Sequence, residues 1–313
     1  MGTFSIKPEG SFALEQSRAF LAGFTPAAGS AVEKDQALVL AFRLDKTFEP
    51  VAVSLTQGDD KVVQGRVFGT GGDAAVQKQV ARILALDHDG TDWDALVRSE
   101  GTLFRLLQTY PGFRPVSFPS PYEAAAWGVL AQRVPMKHAA NLKKKLAQEH
   151  GDAVEADGVP MHVFPTPKKI LELTGFPGLP QEKWTRLQAV AKAAVEGVLD
   201  ADFLRELPEA EALEKLGEIH GVGAWTAGHI LLRGTGAKDV MSAVEPRVFH
   251  AVALAYGMHK DPTEKELTEI SDHWRPYRTW ATVLVALAAS RMGEWKVKTA
   301  RKRGGPAPKA KKG

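Results

Sequence analysis

The sequence predicts an α+β protein, a small N-terminal antiparallel sheet with a helix followed by a larger all-α domain. Two observations carry that reading. The first ~75 residues hold β-branched or alternating runs separated by turn residues, and from Asp73 onward helical periodicity takes over with short Gly and Pro punctuation. A third observation bounds it: a chain of 313 residues with 44% apolar content is long enough for about two domains, each with a filled core.

In chain order, "FSIKP", "ALVLAFRL", "PVAVSLTQ" and "KVVQGRVFG" read as strands, with the helical stretch "FALEQSRAFLAGF" between the first two. Helices follow over "DAAVQKQVARILAL", "DWDALVRSEGTLFRLLQ", "SPYEAAAWGVLAQRV" and "MKHAANLKKKLAQEHG". The segment "GDAVEADGVPMHVFPTPKK" reads as an internal loop, after which helices resume and run to "RTWATVLVALAAS". No fixed-period repeat interrupts the order. The expected division is residues 1–75, 76–295 and a basic tail 296–313.

That tail, "KVKTARKRGGPAPKAKKG", holds eight Lys or Arg and no acid, so the net charge of +3 hides a body with 32 basic against 37 acidic residues. Lysine-rich runs with Gly and Pro are expected to be disordered, serving either as a loose polyanion-binding arm or as a solubilising one. An acidic body confines any nucleic-acid surface to local patches. The absence of cysteine excludes disulfides, thiolate zinc sites and an iron–sulfur cluster. The longest apolar run, near Val283, falls well short of the ~20 residues a membrane span needs, and the N-terminus lacks signal-peptide order. A cytoplasmic protein with no membrane partner is expected.

The most specific stretch is "EIHGVGAWTAGHIL". Leu213, Leu216 and Ile219 share a helical face, His220-Gly221-Val222-Gly223 interrupts, and Trp225 opens the next helix. Helix, glycine turn, helix leaves uncovered amides at the second N-terminus, where the dipole also favours an anion. Glycine removes the Cβ that would hold a phosphate away. An ordinary αα-turn accounts for the spacing equally well.

The wider string, "LGEIHGVGAWTAGHILL" through "LRGTGAKDVMSAVEPRVFHAVALAYG" and "HWRPYRTWATVLVALA", resembles the helix-hairpin-helix superfamily of DNA glycosylases that carries a Gly/Pro-rich loop and a catalytic carboxylate, and within it the bacterial 3-methyladenine DNA glycosylase II group. The likeness reaches back to "YEAAAWGVLAQRVPMKHAANLKKKLAQEHG" and covers nearly the whole chain. It implies hydrolysis of the N-glycosidic bond of an alkylated base flipped out of double-stranded DNA, in base-excision repair, by a monomer at the nucleoid. Such a reaction needs an anion near the developing oxocarbenium ion and an aromatic pocket for the base.

By that resemblance the catalytic carboxylate falls on Glu245, where the family has Asp. Pro246 behind it suits the first turn of a helix and makes Glu245 the N-cap. Glu is a poor capping residue, so capping does not explain it; the bland reading is a surface carboxylate or a salt-bridge partner of Arg247. Asp239, whose family counterpart is structural, is the fallback. The resemblance further places Trp225, His229 and Phe20 in the base pocket, with His229 where the family has Tyr and Ala286 where it has Trp. Gln132 and Arg133 fall on the loop that fills the gap left by the flipped base, Arg133 where the family has Leu. His220, Gly221, Val222, Gly223 and Thr226 fall on the DNA-binding hairpin. Backbone carbonyls of Gly217, Ile219 and Val222 match those that hold a monovalent sodium or potassium ion, and no other cofactor is implied. Trp225 stands where relatives that also cut the backbone carry a Schiff-base lysine, which points to an enzyme without lyase activity. Lys137, Lys143, Lys144 and Lys145 read as a solvated face, and Trp184, Trp274 and Trp280 as packing. The rival class is a damaged-DNA-binding protein that kept the fold and lost the chemistry.

Overall fold

The computed structural model describes residues 2–241 and 245–291; the basic tail expected at 296–313 lies outside them. Strand β1 (Gly2–Ile6), helix α1 (Leu14–Gly23), a 3-10 turn (Thr25–Ala27) and strands β2 (Ala31–Lys34), β3 (Ala37–Arg43), β4 (Pro50–Gln57) and β5 (Val63–Gly69) come first. The strands form one antiparallel sheet in the order β1-β5-β4-β3-β2. Helices α2 (Asp73–Ile83), α3 (Thr91–Ser99), α4 (Gly101–Thr109), α5 (Pro121–Leu130) and α6 (Met136–His150) follow. A hairpin of β6 (Ala153–Ala156) and β7 (Val159–His162) then precedes α7 (Pro167–Glu172), α8 (Gln181–Val195), α9 (Ala201–Glu206), α10 (Glu209–Gly217), α11 (Ala224–Gly234), α12 (Pro246–Tyr256), α13 (Glu264–Asp272) and α14 (Arg278–Arg291). The α+β class is therefore as the sequence predicts, with two additions.

The first addition is β2, whose four residues carry Glu33 and Lys34 and show too little alternation to stand out. The second is the β6–β7 hairpin inside the segment read as a loop. Asp157 and Gly158 both take positive φ, 52° and 73°, which is the geometry a two-residue Asp-Gly hairpin turn requires. Its packing on the sheet explains why β3 reads as a continuous apolar run: strand side chains alternate between faces, and here both faces are covered. Leu38, Leu40 and Phe42 pack with α2, while Val39 and Ala41 pack with Ala156, Met161 and Val163 beside the hairpin.

The helical core gathers around α5, in which every residue is buried. Trp184, Trp274 and Trp280 lie inside it, as read. Helices α5 and α11 approach closely enough that a Cβ on Gly128 would sit 2.6 Å from Thr226 Cγ2, and one on Gly234 2.8 Å from Pro121 Cα. That approach fixes α11 along the length that carries Trp225, His229 and Arg233. Phe20 packs against both the sheet-side and the helical cluster, so α1 brings an N-terminal aromatic to the same place.

Candidate active site and nucleic-acid interface

Helices α1, α11, α12 and α14 wall a cavity of about 540 Å³. Phe20 and Phe24 line it from the N-terminal segment, Trp225, His229 and Arg233 from α11, Glu245 and Arg247 from the start of α12, and Ala286, Leu287 and Arg291 from α14. Residues at i, i+4 and i+8 of one helix share a face, which is why Trp225, His229 and Arg233 reach it together.

Glu245 is the N-cap of α12. It accepts a hydrogen bond from the Arg247 amide at 3.3 Å, with Pro246 in the first turn. Capping therefore does account for part of its presence, contrary to the propensity argument. The same carboxylate accepts from Trp225 Nε1 at 2.7 Å and from Arg247 Nε and Nη2 at 2.7 and 3.0 Å. Burial pushes the Glu245 carboxyl up, but the Arg247 guanidinium and the Trp225 indole outweigh it and hold it below its usual value. The cavity thus has a group that stays anionic at neutral pH, lined up by an indole and neutralised by one guanidinium.

His229 stacks on Trp225 with centroids 5.2 Å apart and planes 9° from parallel, and meets Phe118 edge-on. Its Nε2 is buried and has no hydrogen-bond partner among the described residues. Burial, aided by Arg233, lowers its pKa to about 3, so the ring is neutral wherever the fold is intact. The sign follows. Below its ordinary pKa of ~6.5 the unfolded chain takes up a proton that the folded chain refuses, so stability falls with pH from there towards 3, by at most ~1.4 kcal/mol per pH unit. His229→Phe is expected to flatten the drop in Tm between pH 6.5 and 4.5. A variant that keeps the wild-type slope would show that the acid sensitivity comes from other groups.

The hairpin links α10 to α11. Ile219 and Val222 are buried and pin the turn to the core, while His220 and Gly223 face solvent. Gly221 has φ 86°, and a Cβ there would lie 2.3 Å from Arg186 Cγ, so only glycine fits on both counts. No side chain caps α11 at Gly223, leaving the amides of Ala224, Trp225 and Thr226 without intrahelical partners. The Ile219 carbonyl accepts from the Val222 amide at 2.9 Å. No cluster of three or more metal-binding side chains occurs among the described residues.

No protein-family model matches the chain. It is 26% identical over 211 residues to a DNA-3-methyladenine glycosylase of Bacillus subtilis, covering 66% of this chain and 70% of that one. It is 29% identical over 186 residues to DNA-3-methyladenine glycosylase 2 of Escherichia coli, covering 58% and 62%. The chain is thus similar in sequence to DNA-3-methyladenine glycosylases over roughly three fifths to two thirds of its length. Among solved structures, a 3-methyladenine DNA glycosylase from Archaeoglobus fulgidus shares this glycosylase fold with a TM-score of 0.75 at 23% identity, over 92% of this chain and 98% of that one. The Clostridium acetobutylicum 8-oxoguanine glycosylase/lyase shares it at 0.60 and 15%, over 84% and 98%.

Within the glycosylase fold, the structure brings Trp225, His229, Phe20, Ala286 and Glu245 to one cavity and leaves Asp239 out of it. Asp239 accepts from the Arg278 amide and Nε at 3.1 and 2.8 Å and from Arg275 Nη1 at 3.3 Å, which ties its loop to α14. Gln132 donates to the Gly221 carbonyl at 2.9 Å and accepts from Arg186 at 2.6 Å, bracing the hairpin. Next to it the exposed Arg133 takes φ 55°, a left-handed turn that a non-glycine residue rarely adopts. Two expectations need correction. The Thr226 side chain is 3% exposed against Gly128, so only its amide is free to meet DNA. Lys143 is not on a solvated face: it is buried, and its Nζ lies 3.0 Å from Glu123 and donates to the Pro26 carbonyl at 3.0 Å.

The sequence reading missed Phe24, Arg233, Arg247 and Arg291 as cavity residues. Two of them carried a usable signal: Arg233 lies four residues after His229 on the same face, and Arg247 is the ion-pair partner that the sequence offers Glu245. Phe24 stacks on Phe20 with centroids 5.2 Å apart, a contact set by the turn after α1.

Proposed function

We propose that the chain is a monofunctional DNA glycosylase that removes alkylated bases of the 3-methyladenine type, flipped out of double-stranded DNA, in base-excision repair. The observation that carries the proposal is the Glu245 carboxylate, kept ionised at the wall of a cavity lined by Trp225, His229 and Phe20. The names of the relatives, both DNA-3-methyladenine glycosylases, support the lesion class.

In this reading the bond from C1′ to the base nitrogen breaks and its electron pair leaves with the base. Glu245 stabilises the oxocarbenium ion, and water adds to C1′ while giving up a proton to the carboxylate or to solvent. Trp225 supplies no amine for a Schiff base, so the product is an abasic site with an intact strand. The amides of Ala224, Trp225 and Thr226 hold one phosphate, with His220, Gly221, Val222 and Gly223 bringing the backbone close. The carbonyls of Gly217, Ile219 and Val222 would be the groups to hold a sodium or potassium ion, which would supply positive charge beside the hairpin. Arg133 enters the gap in the base stack and Gln132 supports it from the hairpin. The protein acts as a monomer on one duplex.

Incubation with methylated duplex DNA is expected to release 3-methyladenine or 7-methylguanine as free base without strand cleavage. Binding to abasic-site DNA with no release from any alkylated substrate would leave a damage-binding protein instead. The phosphate clamp has its own test. A Cβ at Gly223 meets nothing within 4 Å, so Gly223→Ala should keep the wild-type Tm while weakening DNA binding by roughly tenfold. Gly221→Ala should lower both, because it meets Arg186 and the positive φ. Wild-type affinity in Gly223→Ala would place the phosphate elsewhere.

A further inference from the structure

Two segments that the reading above assigns to DNA, the turn after α5 that carries Arg133 and the hairpin before α11, are joined by side chains of α8. Arg186 on that helix lays its stem against the hairpin: a Cβ on Gly221 would sit 2.3 Å from its Cγ and 2.6 Å from its Cδ. Its Nη1 donates to Gln132 Oε1 at 2.6 Å, and Gln132 Nε2 donates to the Gly221 carbonyl at 2.9 Å, which closes a triangle of α8, turn and hairpin. A guanidinium only donates and a carbonyl only accepts, so one orientation of the Gln132 amide satisfies both. Nη2 of Arg186 donates to Glu182 one turn back, so the cation is neutralised within its own helix. Lys183, three residues before Arg186, donates to the carbonyl of Leu130, the last residue of α5, at 3.1 Å. Helix α8 thus grips the chain at Leu130 and again at Gln132, immediately before Arg133.

That grip bears on Arg133, whose φ of 55° is a left-handed conformation that costs a non-glycine residue free energy and persists only where its surroundings hold it. On the far side Pro135, with its ring-fixed φ, leads into α6. We infer that Arg186 is a positioning residue that, through Gln132, couples the turn carrying Arg133 to the phosphate hairpin, so that docking of the hairpin on DNA and entry of Arg133 into the base stack are one event. The inference rests on the glycosylase reading above. A turn free to relax would have to be ordered each time the protein met a lesion, and that cost would weaken binding there; with the bridge in place the ordering is done on folding. Intact duplex offers the hairpin its phosphate but offers Arg133 no gap, so the bridge adds nothing to binding it. Arg186 therefore raises the preference for damaged DNA and not the affinity for DNA in general. A direct contact from Arg186 to a phosphate would behave differently. Its loss lowers the slope of log affinity against log salt by about 1 and weakens all duplexes alike.

The test is equilibrium binding, over a range of salt concentrations, to a duplex with one tetrahydrofuran abasic site and to the same duplex undamaged, by wild type, Arg186→Met, Arg133→Ala and the double variant. Wild type is expected to prefer the abasic-site duplex. Arg186→Met keeps a stem against Gly221 and removes the bridge. It should lower that preference by roughly tenfold, with affinity for undamaged duplex within about twofold of wild type and the salt slope unchanged. In the Arg133→Ala background, Arg186→Met should cost nothing further, because the bridge acts through Arg133. A uniform loss on both duplexes with a slope lower by about 1 makes Arg186 a phosphate contact and overturns the inference. So do an unchanged preference in Arg186→Met, a full further loss in the double variant, and a wild type with no preference for the abasic site. Should Arg186→Met fail to fold, Gln132→Leu cuts the bridge from its other end and is expected to give the same selective loss; wild-type preference in that variant overturns the inference. None of these measurements needs base release. A wild type that binds as expected but releases nothing from methylated duplex fails the glycosylase reading and leaves the coupling standing.

Discussion

Glu245→Gln is expected to lower single-turnover base release by roughly 10²- to 10³-fold while binding of abasic-site DNA stays close to wild type. The carboxylate is the only acid lining the cavity among the described residues, so its neutral isostere removes the one group able to stabilise positive charge on the sugar. Gln retains an acceptor for the Trp225 indole and the Arg247 amide, and so preserves the cap of α12 while removing the charge. Unchanged release would take Glu245 out of the mechanism. Arg247 makes the pH dependence a second readout. Its guanidinium holds the carboxyl below its ordinary value against the upward push of burial, so the acid limb of the rate profile should lie below the usual carboxylate range. Arg247→Met removes that support, and burial then dominates: the limb should move to higher pH, with loss of activity setting in earlier as the solution is acidified. A limb that stays in place in Arg247→Met would mean that another group controls it.

The same residues show which kinds of information a sequence carries. The four longer strands were legible because β-branched or alternating runs between turn residues are a local property, and Pro246 marked Glu245 as the start of a helix for the same reason. The β6–β7 hairpin was missed although its Asp-Gly turn was in plain view, since four-residue strands give alternation too little length to register. Arg233 was legible only in part, through its spacing from His229. In "HILLRGTG" it reads as the polar edge of a core helix, and what makes it a cavity residue is Phe20 and Phe24, brought more than two hundred positions along the chain by the docking of α1. Gln132 shows a further kind: the resemblance assigns it to the DNA gap, and the structure adds that its side chain braces the hairpin through Gly221 and Arg186. The resemblance named residues that the structure gathers in one cavity, and tertiary contacts set the charge of that cavity.

Lys143 is the sharpest case, and it yields the largest expected effect on stability. A run of three lysines on a helix looks solvated, yet the Lys143 and Glu123 side chains are 8% and 4% exposed and their charged atoms are 3.0 Å apart. Removing one member of such a pair strands the other charge in the core, at a cost of about 3–5 kcal/mol, whereas replacing both with apolar groups of similar volume is often close to neutral. Lys143→Met should therefore lower unfolding free energy in urea by about that amount, and Glu123→Leu by a similar amount. The double variant should return to within ~1–2 kcal/mol of wild type. Additive losses in the double variant would mean that the two side chains contribute through packing and not as a pair. The pair also has a consequence for the site, because Lys143 holds the Pro26 carbonyl in the turn that carries Phe24 into the cavity. The double variant restores the charge balance but not that hydrogen bond. Its stability should recover while base release stays several-fold below wild type, since a loosened Phe24 no longer keeps Phe20 and Arg233 in register beside the base.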